Sequence, residues 1–313
     1  MKKIIAFVMV ISLTITWIQL CYMPQFKEKI EPVISNEDLF ESKHEFHDQI
    51  GVNITIVPES SVDRVMYEKS HEEKLEDLKN NIINFVGNDI NSFSLIYYEI
   101  VSKNAIEINP YNSFKPASTY KVPLNMLLYD KVFTNEININ DTMNYYSGDY
   151  EDGAGELQGS DILYHPISLT TLSEYSIIYS DNIAANMLTR LLGYDDVISY
   201  IERVSGIQMP NTDYITAQAM LSLLLKLYTN LDNNPFYDTL IGYMKNTIYH
   251  DRIDALIPQS IVAHKIGDYE DYVNDIGIVY TNKPYIIIFY TEGFEYETIA
   301  EISKMIYDFN IQD

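Results

Sequence analysis

The chain has 313 residues, 47% of them hydrophobic, with only 12 glycines and 11 prolines, which supports one large or two modest globular domains and excludes collagen-like or low-complexity organisation. A formal net charge of −24 excludes nucleic acid as a natural partner, since such a body repels phosphate backbones. The lone cysteine, Cys21, excludes an internal disulfide.

Lys2 and Lys3 precede an uncharged run from Ile4 to Leu20, the layout of an export signal. The run lies at the lower edge of the length that spans a bilayer. Ile18, Gln19 and Leu20 are too bulky for a normal cleavage or lipidation site. Residues 1–22 are therefore expected to be a retained membrane anchor with the body outside the cell; cleavage at an atypical site is the alternative. Residues 23–70, with Pro24, Pro32 and Pro58, read as a linker or stalk with a short strand at Val52–Val57.

From His71 to Val86 the residues Leu75, Leu78, Ile82, Ile83 and Val86 recur at helical spacing. Strands are predicted at Ser92–Val101 and Ala105–Ile108, then an apolar helix at Ser118–Tyr129. Helices follow at Ser168–Ile178, Asn182–Leu192, Val197–Val204 and Ile215–Thr229. The end returns to strands at Ser260–Ile266, Val273–Tyr280 and Tyr285–Tyr290, closed by a helix at Glu297–Phe309. Strands at both ends with helices between them predict an α+β domain over 71–313, with a helical lobe at about 130–250 and a cleft between the lobes.

Three short strings carry chemistry. In the first, Pro116 and Ala117 lead into Ser118, with Lys121 three residues later. A serine at a helix entry sits where free N–H groups favour an oxyanion, and i+3 spacing puts the lysine within reach as its base. That role needs a lowered lysine pKa, through burial or a second cation such as Lys265. In the second, Ser180-Asp181-Asn182, Ser180 can pass a proton to a leaving nitrogen and Asn182 can bond a substrate amide. In the third, Lys265-Ile266-Gly267-Asp268, Lys265 can attract a carboxylate and polarise Ser180. Gly267 allows close approach, and the Asp268 N–H can join that of Ser118 as an oxyanion hole. Read separately, the first two strings are equally ordinary helix caps. The glycine-rich stretch Tyr150–Gln158 is acidic, so it reads as a cleft-rim loop rather than a phosphate cradle. The six histidines show no metal-ligand spacing, so neither a metal nor a cofactor is expected.

Each of the three strings occurs once, in the order S-x-x-K, S-D-N, K-x-G, and together they resemble the class A β-lactamase and penicillin-binding serine hydrolase superfamily over roughly residues 71–310. The flanks agree: Pro116–Lys121, Tyr179–Asn186, Arg252–Pro258 and Val273–Tyr280 each look like family segments. The resemblance implies an antiparallel sheet flanked by N- and C-terminal helices beside an all-helical lobe. It implies a serine hydrolase with Ser118, Lys121 and Ser180 catalytic, and Asn182, Lys265, Gly267, Asp268 and Arg252 binding substrate, with Arg252 on its carboxylate. The substrate would be a β-lactam or a peptidoglycan peptide, the enzyme a monomer.

Two departures stand out. Ile266 replaces the family's Thr or Ser, losing a hydroxyl for the substrate carboxylate. Only 30 residues, 183–212, lie between S-D-N and Asp213 of the D-T-T-like segment Asn211–Thr216, and their acids, Asp195, Asp196 and Glu202, lack the setting of the family's water-activating Glu. Acylation with slow deacylation is therefore expected. The alternatives are a D-Ala-D-Ala peptidase or esterase and, from another class, a catalytically silent cell-wall binding or sensor domain.

Overall fold

A computed structural model describes residues 61–209 and 212–312. The predicted anchor, and the linker as far as residue 60 with its strand at Val52–Val57, lie outside the described residues. Among the described residues no helix is long and apolar enough to cross a membrane.

Helix α1 (Ser61–Val86) starts ten residues before the predicted His71, inside the segment read as linker. Its sequence from 61 to 70 carries Val62, Val65 and Met66 at helical spacing, a stripe that a helix read only from His71 leaves out. Strands β1 (Phe93–Glu99), β2 (Ala105–Ile108) and β3 (Ser113–Phe114) follow. A 3₁₀ turn, Ala117–Tyr120, leads into α2 (Lys121–Phe133), so Ser118 sits in the turn and Lys121 opens the α-helix. Two-residue strands β4 (Thr142–Met143) and β5 (Ile167–Ser168) pair ahead of α3 (Leu169–Ile178), α4 (Asn182–Leu192) and α5 (Tyr194–Ser205). Then come β6 (Ile215–Thr216), α6 (Ala217–Thr229) and α7 (Pro235–Lys245). Helix α7 falls within the predicted lobe without a predicted boundary of its own; Asn234 caps it and Pro235 opens it. The chain ends in β7 (Val262–Tyr269), β8 (Tyr272–Val279), β9 (Tyr285–Glu292) and α8 (Tyr296–Gln312).

Five strands form one antiparallel sheet in the order β2-β1-β9-β8-β7. Register pairs Phe93 with Thr291 and Lys265 with Ile276. Both faces are covered. Leu95, Tyr97, Ile287 and Phe289 pack with Leu75, Leu78 and Ile82 of α1 and Ile299, Ile302 and Ile306 of α8. Their neighbours Ile96, Ile286, Ile288 and Tyr290 point to the opposite face and join the core of the helical lobe. Side chains alternate faces along a strand, so burial on both sides explains why β9 reads Y-I-I-I-F-Y without polar alternation. In the lobe, α2 is buried almost throughout, from Lys121 to Tyr129. Strand β7 is the sheet edge, and its free side meets the Ala117–Tyr120 turn and the lobe.

Candidate active site

A cavity of about 530 Å³ opens at this junction. Its wall includes Ser118 and Lys121 from the first string, Ser180 and Asn182 from the second, and Ile266 and Asp268 from the third. Glu151, Asp152, Gly153 and Ala154 of the predicted rim loop complete it, with Tyr249 and Tyr269. A larger cavity of about 630 Å³, lined by Asp130, Lys131, Arg203 and Asp232 among others, contains none of these groups.

The Ala117–Tyr120 turn is held hard against β7. A side-chain methyl built on Gly267 would stand 2.6 Å from the Pro116 carbonyl oxygen and 3.0 Å from the Thr119 nitrogen, so only glycine permits this approach. Asn274 Nδ2 donates to the Lys115 carbonyl at 2.9 Å, tying the segment to β8. Thr119 Oγ1 donates to the Pro116 carbonyl at 2.7 Å and meets the Tyr290 hydroxyl at 3.1 Å. Ala117 and Ser180 both adopt positive φ, 48° and 51°, conformations that side-chain-bearing residues hold only where the surroundings impose them.

Two buried lysines converge on Ser180. Lys121 Nζ donates to the Ser180 carbonyl and to Asn182 Oδ1, both at 2.7 Å, and lies 3.5 Å from Ser180 Oγ. Lys265 Nζ donates to Ser180 Oγ at 2.9 Å and to the Ile266 carbonyl at 3.1 Å. Burial drives the Lys121 ammonium pKa down to about 7, with the Asp181 and Glu151 charges pulling back upward. Burial also drives Lys265 well below its ordinary value, with Lys121 adding to the effect. Burial, rather than a neighbouring cation, is thus the leading cause at Lys121.

Asp181 is the anchor between lobe and rim. Its Oδ1 accepts the Ala184 N–H and caps α4, while Oδ2 accepts the Glu156 and Leu157 N–H groups, all at 2.8 Å. A methyl on Gly155 would overlap that carboxylate at 2.2 Å, and its φ of 131° already demands glycine. Arg190 forks onto Asp149 at 2.7 and 3.0 Å, and Asn186 Nδ2 donates to Glu151 Oε2 at 2.8 Å.

Arg252 does not line the cavity. Its guanidinium is buried, donates to Asp268 at 2.7 Å and to the Asn274 carbonyl at 2.9 Å, and lies over the Tyr296 ring. Lys265 and Gly267 stand behind the wall, acting through Ser180 and through backbone fit. Asp195, Asp196 and Glu202 lie on α5 and stay outside the lining; Glu202 accepts the Met209 N–H at 2.8 Å. The acids that do face the cavity are Glu151, Asp152 and Asp268. Sequence reasoning does not single out Glu151, Asp181 or Asn274 as site residues, although Asp181 and Asn274 lie inside recognised strings.

A two-faced antiparallel sheet beside a helical lobe, with the three strings meeting at one cavity, defines the fold of the penicillin-recognising serine hydrolases. The structure of PBP-A superposes with a TM-score of 0.69 at 21% identity, over 76% of this chain and 97% of that one. A leucine-to-glutamate mutant of PBP-A, solved as an acyl-enzyme complex with penicillin G, matches with a TM-score of 0.69 at 22% identity, over 76% of this chain and 98% of that one. The extended-spectrum β-lactamase TLA-3 matches at 0.68 and 23% identity, over 76% and 99%. The chain belongs to the β-lactamase enzyme family, which it matches over residues 76–310. No curated protein matches it significantly.

Proposed function

We propose that the protein is an exported active-site serine hydrolase, acylated at Ser118 by β-lactams or D-Ala-D-Ala-like amides and deacylated slowly. The observation that carries this is that Lys121, its amine buried and its pKa driven to about 7, shares a cavity wall with Ser118. Half deprotonated at neutral pH, Lys121 takes the Ser118 proton as Oγ attacks the carbonyl carbon. The backbone N–H groups of Ser118 and Asp268 receive the developing oxyanion. Ser180, with Lys265 donating to it, passes its hydroxyl proton to the departing nitrogen and takes in its place the proton held by Lys121, whose Nζ lies 3.5 Å from Ser180 Oγ. Asn182 orients the substrate amide.

Slow deacylation rests on the acids of the short 183–212 interval lying outside the cavity, which leaves no family-type base to aim water at the ester. General-base assistance contributes typically about 10²–10⁴-fold. The same feature suits a D-Ala-D-Ala peptidase or esterase. Export with a membrane-held N-terminus is supported by Lys2, Lys3 and the Ile4–Leu20 run.

The test is intact mass against time after adding benzylpenicillin, with Ser118→Ala as control. A lasting adduct that Ser118→Ala abolishes is expected. An adduct that vanishes while penicillin is consumed rapidly overturns slow deacylation. No adduct, and no Ser118-dependent peptide or ester hydrolysis, leaves a silent binding domain.

A further inference from the structure

The fold brings His250 and Asp254, four residues apart, against His264 of β7, the strand that also carries Lys265. We propose that these three side chains form a binding site for a divalent zinc-type cation that clamps the 250–254 segment to the sheet. One ligand atom from each residue falls within 4.8 Å of the others. Asp254 Oδ2 lies 2.5 Å from His250 Nδ1 and 3.3 Å from His264 Nε2. Bonds of about 2.0–2.2 Å in tetrahedral geometry place ligands roughly 3.3 Å apart, so the Asp254–His264 edge already fits and His250 must withdraw slightly. It is free to do so, because its side chain is 36% exposed while Asp254 and His264 are both at 1%.

A second observation points the same way. Asp254 Oδ1 is buried without a hydrogen-bond partner among the described residues, and His264 Nε2 has only the 3.3 Å approach of Asp254 Oδ2. Buried polar atoms are rarely left so, and an unfilled ion position is one recognised reason. The outer layer is also in place. Asp275 accepts from His264 Nδ1 at 2.9 and 3.1 Å and is itself fixed by the Ile253 N–H at 3.1 Å. A carboxylate on one imidazole nitrogen turns the other, Nε2, toward the cluster, as in carboxylate–histidine–metal arrangements. Two imidazoles and one carboxylate suit zinc, with water in the fourth position on the exposed His250 side. The alternative occupant is a proton shared between His264 and the two aspartates, which leaves Asp254 Oδ1 unpaired.

The site stands apart from the Ser118 chemistry, and its test needs no substrate. The full chain, stripped with chelator, is titrated with ZnCl2 by calorimetry and with Co²⁺ by visible absorption. Expected are one equivalent bound with a dissociation constant of about 1 μM or tighter, tetrahedral d–d bands, and a raised Tm. His250→Ala, at the exposed ligand, keeps the fold by circular dichroism and weakens binding at least tenfold; Asp254→Asn does the same if it folds. Absence of stoichiometric binding, or binding that His250→Ala leaves unchanged, overturns the site.

Discussion

Lys121 sets the pH response at the scale of single residues. In the proposed mechanism its neutral form is the base, so acylation should rise as pH passes upward through about 7 and stay high above it. The Glu151 charge holds that pKa up, so Glu151→Gln should move the midpoint to lower pH, read from stopped-flow acylation profiles. Asp268 presents the opposite problem. It occupies Arg252 and adds negative charge to the cavity wall, so an anionic β-lactam meets repulsion there. Asp268→Asn should tighten benzylpenicillin binding by roughly tenfold or less, the range of a partly exposed charge, and the gain should shrink in high salt. Sequence made Ser118, Lys121 and Ser180 legible because fixed chemistry demands fixed local spacing. It hid the meeting of Glu151 with Asn186, and of the His250–Asp254 pair with His264, because these contacts join distant segments only through packing.

At the scale of elements, Asp181 and Gly267 join pieces that the motifs leave separate. Asp181→Ala removes an N-cap and orphans two loop amides, a loss of roughly 3–5 kcal/mol by urea denaturation. Gly267→Ala sets a methyl against backbone, which cannot rotate away, so β7 must shift from the nucleophile turn. Displacements near 1 Å cost about 10²-fold in rate, and acylation should fall by that order while the far-UV spectrum stays native. Strand and helix positions were mostly readable, since β9 and α4 carry unambiguous apolar patterns. The first turns of α1 read as linker because Asp63, Arg64, Glu68 and Lys69 dominate their composition, although Val62, Val65 and Met66 recur at helical spacing.

At the scale of the molecule, the two cores lie on opposite faces of one sheet. Leu75, Leu78, Ile82 and Val86 of α1 each bury an aliphatic side chain, worth together on the order of 6–12 kcal/mol. That rivals the whole stability of a typical domain, about 5–15 kcal/mol. A chain beginning at residue 70 should melt cooperatively, and one beginning at residue 87 should not.

The strand order also sets when the enzyme becomes an enzyme. Strands β7 and β8 reach β1 only through β9, the last strand made. The strand that sets Lys265 beside Ser180 thus belongs to a sheet completed only when residues 285–292 have crossed back to pair with residues 93–99. Such sequence-distant closure is slow, and everything before it exposes apolar strand edges. On the proposed mechanism, a chain clipped before residue 285 would carry Ser118 but lack the completed sheet behind Lys265.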